Sequence, residues 1–203
     1  TLDLQPLSDS EIATFSAKFH SRVHGLGDDA SRSADAAFLR ALHGAPDALV
    51  LARTPLLLTM MLLISRDRPL PDKRHRLYQT CIDSLLSARP AHREREGAQL
   101  GPDQYRPDDS ATRLRAVSAL AYKAQTSGYT QGGTRAPIVR SWDEFASLLP
   151  GSWTTAQRHG FLAWLVGGAG ILTDRADGTL NFAHLSFQEF LCAHYLDTNT
   201  EGE

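Results

Sequence analysis

The strongest constraint on this chain is a change of hydrophobic period between residues 141 and 196. Ser141-Trp142-Asp143-Glu144 has the S-x-x-E spacing of a capping box, in which a hydroxyl and a carboxylate each satisfy the other's backbone N–H at a helix start. It predicts a short helix to Leu149. Thr154 or Thr155 opens the next helix, whose apolar residues are Phe161, Leu162, Leu165 and Val166, and Gly167, Gly168 and Gly170 end it. The pattern then becomes strand-like in Ile171–Asp174 and Thr179–Phe182, with Arg175-Ala176-Asp177-Gly178 between them. Asp-Gly between apolar runs signals a hairpin. Ser186 and Glu189 form another capping box, with Leu185 and Phe190 at the spacing of a hydrophobic staple. Phe187, Phe190, Leu191 and Tyr195 supply that helix with a buried face. Helix, short helix, helix, hairpin is the order of a winged helix, here followed by a further helix.

The rest of the chain reads as helix and loop. Ser8-Asp9-Ser10-Glu11 is a third S-x-x-E box, and Ile12, Phe15, Phe19 and Val23 follow it at helical spacing. The expected helices are 9–24, 33–43 (Phe38, Leu39 and Leu42 inward), 46–52, 55–66, 72–88 (Leu77, Tyr78, Cys81, Ile82 and Leu85 on one face) and 111–127. Thr54 suits the cap of the 55–66 helix and Pro55 its first turn, where a missing N–H costs nothing. That helix is apolar nearly all round, so it belongs in a core. Residues 89–109 carry Pro90, alternating charges from Arg93 to Glu96, and Pro102 and Pro107, without an apolar period. The predicted fold is mainly α: a helical domain over 1–90, a linker over 91–109, and a winged-helix domain with one small β-hairpin over 110–203.

Composition narrows the function classes. The 203 residues carry 21 basic and 23 acidic side chains, a net charge of −2, without the basic excess of a dedicated nucleic-acid binder. Cys81 and Cys192 form no C-x-x-C pair, which argues against a zinc ribbon or redox motif and fits free thiols in a cytoplasmic setting. Arg53, Thr54 and Pro55 interrupt the longest apolar stretch, Leu49 to Ile64, and leave it short of the ~20 residues of a membrane span. The first residues show neither an initiator Met nor a signal-peptide pattern. The expectation is a piece of a longer protein.

His184 stands two residues before the predicted cap, Ser186, at the end of the second hairpin strand. Helix starts attract anions through free N–H groups and the macrodipole. A neutral imidazole N–H there could donate to a phosphate oxygen, or His184 could cap or pack locally; spacing leaves both open.

Three stretches together resemble a known family. Phe182-x-His184-x-Ser186-Phe187-Gln188-Glu189-Phe190, followed by Ala193 and Tyr195, resembles the end of the winged-helix domain of NACHT proteins, which include NOD-like receptors. Thr54-Pro55-Leu56-Leu57-Leu58-Thr59, with Leu63, Arg68, Leu70-Pro71, Leu77-Tyr78 and Leu85-Leu86, resembles that family's first helical domain. Leu4-x-Pro6-Leu7-Ser8-Asp9, with Ile12 and Phe15, is similar to the stretch that follows its NTPase core. The resemblance covers essentially the whole chain. It implies a regulatory module of a STAND-class switch NTPase, closed over ADP bound to a core and open on exchange for ATP. Opening leads to oligomerisation and effector activation, in immune or anti-phage defence. It implies that Pro55, with Thr54 beside it, packs near the adenine and ribose, and that His184 bonds the β-phosphate. The implied cofactors are ADP or ATP with Mg²⁺, held in the parent protein and not tightly by this piece. The implied partners are the core and sensor domains of the parent chain, and further copies of the parent on activation.

No G-x-x-x-x-G-K-[ST] phosphate loop occurs, and no hydrophobic run ends in paired acids. No catalytic and no metal-ligating residues are expected in this piece. Ser186 near His184 reads as a cap, there is no G-x-S-x-G turn, and His20 and His24 read as a solvated face rather than a metal site. The alternative is a DNA-binding winged-helix regulator, with Gln157, Arg158 and His159 on the recognition helix and Arg175 on the wing. The missing basic stripe argues against it. Trp142, Trp153 and Trp164 read as packing residues.

Overall fold

The computed structural model describes residues 5–24, 29–88, 104–126 and 139–200. They are mainly helical, with one small three-stranded antiparallel sheet. The chain divides into two units, 1–81 and 82–203.

In the first unit α1 (Asp9–His24) starts at the predicted box. Ser8 Oγ accepts from the Glu11 N–H at 3.3 Å, and Glu11 Oε2 accepts from the Ser8 N–H at 2.8 Å. Bonds from the Ser8 hydroxyl first, and then its N–H, hold the Glu11 carboxyl below the usual carboxylate range. The inward face differs from the expected one. Ile12, Ser16 and His20 are buried, while Phe15 and Val23 are exposed. The reason is a polar interior shared with α2 (Asp29–His43). Ser16 Oγ donates to Asp35 Oδ1 at 2.5 Å, and His20 Nδ1 lies 3.0 Å from the Ser16 carbonyl and 3.6 Å from Asp35 Oδ1. His20 is therefore a core residue and not part of a solvated face; the side chain of His24 lies outside the described residues.

Helix α2 begins four residues earlier than predicted, with Asp29 in its first turn, where the macrodipole favours an acid. Next come α3 (Pro46–Ala52) and α4 (Pro55–Ser65), each opened by proline. Leu57, Leu58, Met60, Met61, Leu62 and Ile64 of α4 are buried, and full burial of each such side chain contributes about 1.5–3 kcal/mol. Leu56 and Leu63 remain exposed, so α4 is central on one side only. Helix α5 (Arg74–Asp83) buries Leu77, Tyr78, Cys81 and Ile82 and continues as a π-helical turn, Ser84–Ala88. Burial pushes the Cys81 thiol up to about 12. The division between the units falls within α5. Of the predicted linker, 91–103 lies outside the described residues.

The second unit begins its regular structure with α6 (Ser110–Thr126), capped by Asp109, whose Oδ2 accepts from the Thr112 N–H at 2.7 Å. Buried Arg113 of α6 donates to the Pro107 carbonyl at 2.8 Å and pins the approach to the helix. Then come β1 (Arg140–Ser141), α7 (Trp142–Leu148), α8 (Thr155–Trp164), β2 (Leu172–Asp174), β3 (Thr179–Phe182) and α9 (Leu185–Thr200). The predicted box at α7 forms, Ser141 with Glu144; Thr154, one of the two expected openers of α8, makes a further box with Gln157 that was not predicted.

The sheet order is β1-β3-β2, with Leu172 opposite Phe182 and Arg140 opposite Leu180. Strand β1 was not predicted. Two residues carry no readable period, and β3 recruits them because its outer edge would otherwise leave N–H and C=O groups unpaired. The hairpin closes with the Gly178 N–H donating to the Arg175 carbonyl at 2.9 Å, and within this turn Gly178 takes a left-handed φ, 75°. It is a turn ending in a left-handed glycine, not a two-residue Asp-Gly turn. Leu180 and Phe182 face a core of Phe145, Phe161, Leu162, Trp164, Phe187 and Leu191, all buried. Helix α9 lies on α6 through the stacked rings of Tyr122 and Tyr195, 4.6 Å apart, and a Gln188–Gln125 hydrogen bond of 2.6 Å. The α–β–α–α–β–β order with this strand arrangement is that of a winged helix with an added helix.

Candidate functional site

His184 occupies the junction between the wing and the last helix. The Ala183 N–H donates to the Ile171 carbonyl at 2.8 Å, which carries the ladder to the residue before it. The His184 carbonyl then accepts from the N–H groups of Phe187 and Gln188, at 3.1 and 3.3 Å. Its Nδ1 accepts from the Ser186 N–H at 3.3 Å. His184 is therefore the cap of α9, two residues before the predicted cap Ser186. The local reading left open by the sequence is present, and it does not consume the residue.

With Nδ1 accepting, a neutral imidazole must carry its proton on Nε2. Burial of the half-exposed ring lowers its pKa from the ordinary histidine value, opposed by the nearby Glu189 carboxylate. No hydrogen-bond partner of Nε2 is found among the described residues. The ring packs 5.7 Å from Phe187, which is itself buried. Backbone, core and protonation state thus leave one N–H donor at the start of a 16-residue helix, beside its positive end.

Thr54 and Pro55 sit at the corner between α3 and α4. Thr54 is extended (φ −98°, ψ 121°) and its carbonyl accepts from the Leu58 N–H at 2.9 Å, but its side chain makes no cap bond, unlike the prediction. Its hydroxyl is thereby left to other partners. Pro55 is exposed at the first helical position, with Leu56 exposed beside it. The corner is braced by a residue that periodicity did not single out. Arg53 donates from Nη1 to the Leu7 carbonyl at 2.9 Å and from Nη2 to Asp9 Oδ1 at 2.9 Å, and its carbonyl accepts from the Leu7 N–H at 2.8 Å. The signal available was a lone arginine interrupting an apolar stretch. Thr54 and Pro55 belong to the first unit and His184 to the second.

The polar residues of α8 are engaged within the fold. Gln157 completes the box with Thr154, Arg158 donates to the Pro150 and Gly151 carbonyls at 3.1 Å each, and His159 Nε2 lies 3.2 Å from Asp143 Oδ1. On the wing, Arg175 is 3.7 Å from Asp177. Among the described residues no group of three or more His, Cys, Asp or Glu could hold a metal ion, and no helix is long and apolar enough to cross a membrane.

No family model, no curated protein and no solved structure matches this chain.

Proposed function

We propose that this chain is the regulatory, nucleotide-sensing switch module of a NACHT-type STAND NTPase. In this reading it closes over ADP held by an NTPase core of the parent protein, and exchange for ATP opens it for oligomerisation and effector activation. The observation that carries the reading is the fixed tautomer of His184. A donor N–H at a helix start suits a phosphate oxygen, and neutrality keeps the group from holding the anion too tightly to release it. In this reading Thr54 and Pro55 would meet the adenine and ribose: an exposed proline ring offers an apolar contact, and the uncommitted hydroxyl a polar one. A ligand biases a conformational equilibrium only through contacts that differ between its states. Mg²⁺ and the phosphate loop belong to the core in this scheme, and the cell compartment is the cytoplasm. The DNA-binding alternative draws no support from α8, whose Arg158 and His159 are already paired within the unit.

The test uses the parent protein with its core. Wild type and His184→Ala are denatured and their released nucleotide quantified. Wild type is expected to release near-stoichiometric ADP, and the variant several-fold less, or to signal without a trigger. Equal ADP content and equal signalling would sink the reading.

A further inference from the structure

Residues 66–76 crowd Arg66, Arg68, Lys73, Arg74 and Arg76 against two acids, Asp67 and Asp72, a local charge of +3 within a chain of net −2. All seven side chains are exposed. Among the described residues none of them forms an ion pair, although both aspartates lie within the same short stretch. Lys73, Arg74 and Arg76 flank the start of α5, where the helix dipole repels cations, and only Arg74, over the Tyr78 ring, has a contact within the fold that uses its charge. Their apolar neighbours settle the fold of the segment without them: Leu77 and Tyr78 are buried, and Leu70 and Pro71 are half-buried.

We propose that this segment is a docking surface for the phosphate backbone of duplex nucleic acid, bound without regard to sequence. Four of the five cations are arginines, whose planar forks match phosphate oxygens two at a time, where lysine offers a point charge. Arg74 is already oriented, its guanidinium 5.7 Å over the Tyr78 ring. No exposed Phe, Tyr or Trp stands in the segment, and its one exposed ring is the imidazole of His75, so it lacks the row of aromatic platforms that stacks successive bases of a single strand. Nor does it present an exposed Leu, Ile, Phe or Trp to enter a lipid bilayer, which sets an anionic membrane second. The surface belongs to the first unit and is independent of both the wing and the nucleotide-switch reading.

The experiment is fluorescence anisotropy of the whole chain with a labelled 20-base-pair duplex of arbitrary sequence. It compares wild type, the quadruple variant Arg66→Glu/Arg68→Glu/Arg74→Glu/Arg76→Glu, and a control, Lys18→Glu/Arg22→Glu, that reverses exposed charges on α1. Circular dichroism verifies that each is folded. With three to five phosphates contacted, wild-type affinity should fall about 40- to 500-fold between 50 and 200 mM salt, and each contact removed should flatten the log–log slope by about 0.9. The quadruple variant should bind at least tenfold more weakly than wild type, and the control within about twofold of wild type. No duplex binding by wild type, or equal loss in the control, overturns the proposal. So does binding confined to phosphatidylserine vesicles, which would assign the surface to a membrane.

Discussion

One imidazole, His184, both closes a strand and starts a helix. The cap statistics that favour Ser, Thr, Asp and Asn pointed to Ser186, because Ser-x-x-Glu fits the box. The helix starts earlier because the preceding ring offers Nδ1 to the Ser186 N–H. Replacing His184 with Ala removes that acceptor and should cost about 0.5–2 kcal/mol at pH 7.5, read as a lowered Tm. The pH dependence follows from the burial that lowers the folded-state pKa. The unfolded group titrates near about 6.5, so the stabilising contribution is complete above that value and is lost as pH falls through the folded pKa. The gap between wild type and variant should therefore narrow from pH 7.5 to pH 5. A gap that stays constant or widens on acidification would contradict a neutral, accepting His184. Arg53 and His20 are the other residues whose roles were hidden. Each is polar within an apolar pattern, and only its partners, the Leu7 carbonyl and Asp9 for one, Ser16 and Asp35 for the other, explain it.

Helix α8 ends in a π-helical turn, Leu165–Ala169, beneath its own tryptophan. The sequence marked this place with glycines and read them as a stop. The structure gives the second of them a steric task. A Cβ on Gly168 would lie 2.6 Å from both Cδ1 and Nε1 of buried Trp164. Gly168→Ala should therefore destabilise the second unit by about 1–3 kcal/mol, measured by denaturant midpoint. Gly151→Ala is the control: nothing lies within 4 Å of its added methyl, so a change within about 0.5 kcal/mol is expected. Equal effects at the two sites would mean that the indole can move aside. Helices announced by a box, α1 and α7, were legible because the box is local and each of its two hydrogen bonds spans three residues. The face of α1 was not, because periodicity counts apolar residues, whereas Ser16 and His20 enter the interior once Asp35 of α2 supplies their partner.

As a whole molecule the chain is two units of different architecture, one helical in its described regular structure and one a winged helix, and the division between them falls within the span of α5. The proposed switch draws its phosphate loop from the core of the parent protein, since no G-x-x-x-x-G-K-[ST] occurs in this chain. Titration calorimetry of the chain alone with Mg-ADP should therefore show no saturable heat at micromolar concentrations, while the parent with its core binds; saturable binding by the chain alone would mean that a complete site is already present here. What the residues determined by themselves was the class of fold: helix starts, the hairpin and the order of elements, all encoded within a few residues' reach. The local charge of 66–76 was equally present in the letters, but that none of these side chains forms an ion pair among the described residues was visible only in three dimensions. Tertiary structure alone decided which face of α1 turns inward, where α9 begins, that a two-residue strand joins β3, and which nitrogen of His184 carries the proton. Each of those outcomes depends on a partner from another element or on a geometry that only folding creates, and hydrogen bonds and burial are properties of such pairs rather than of single residues.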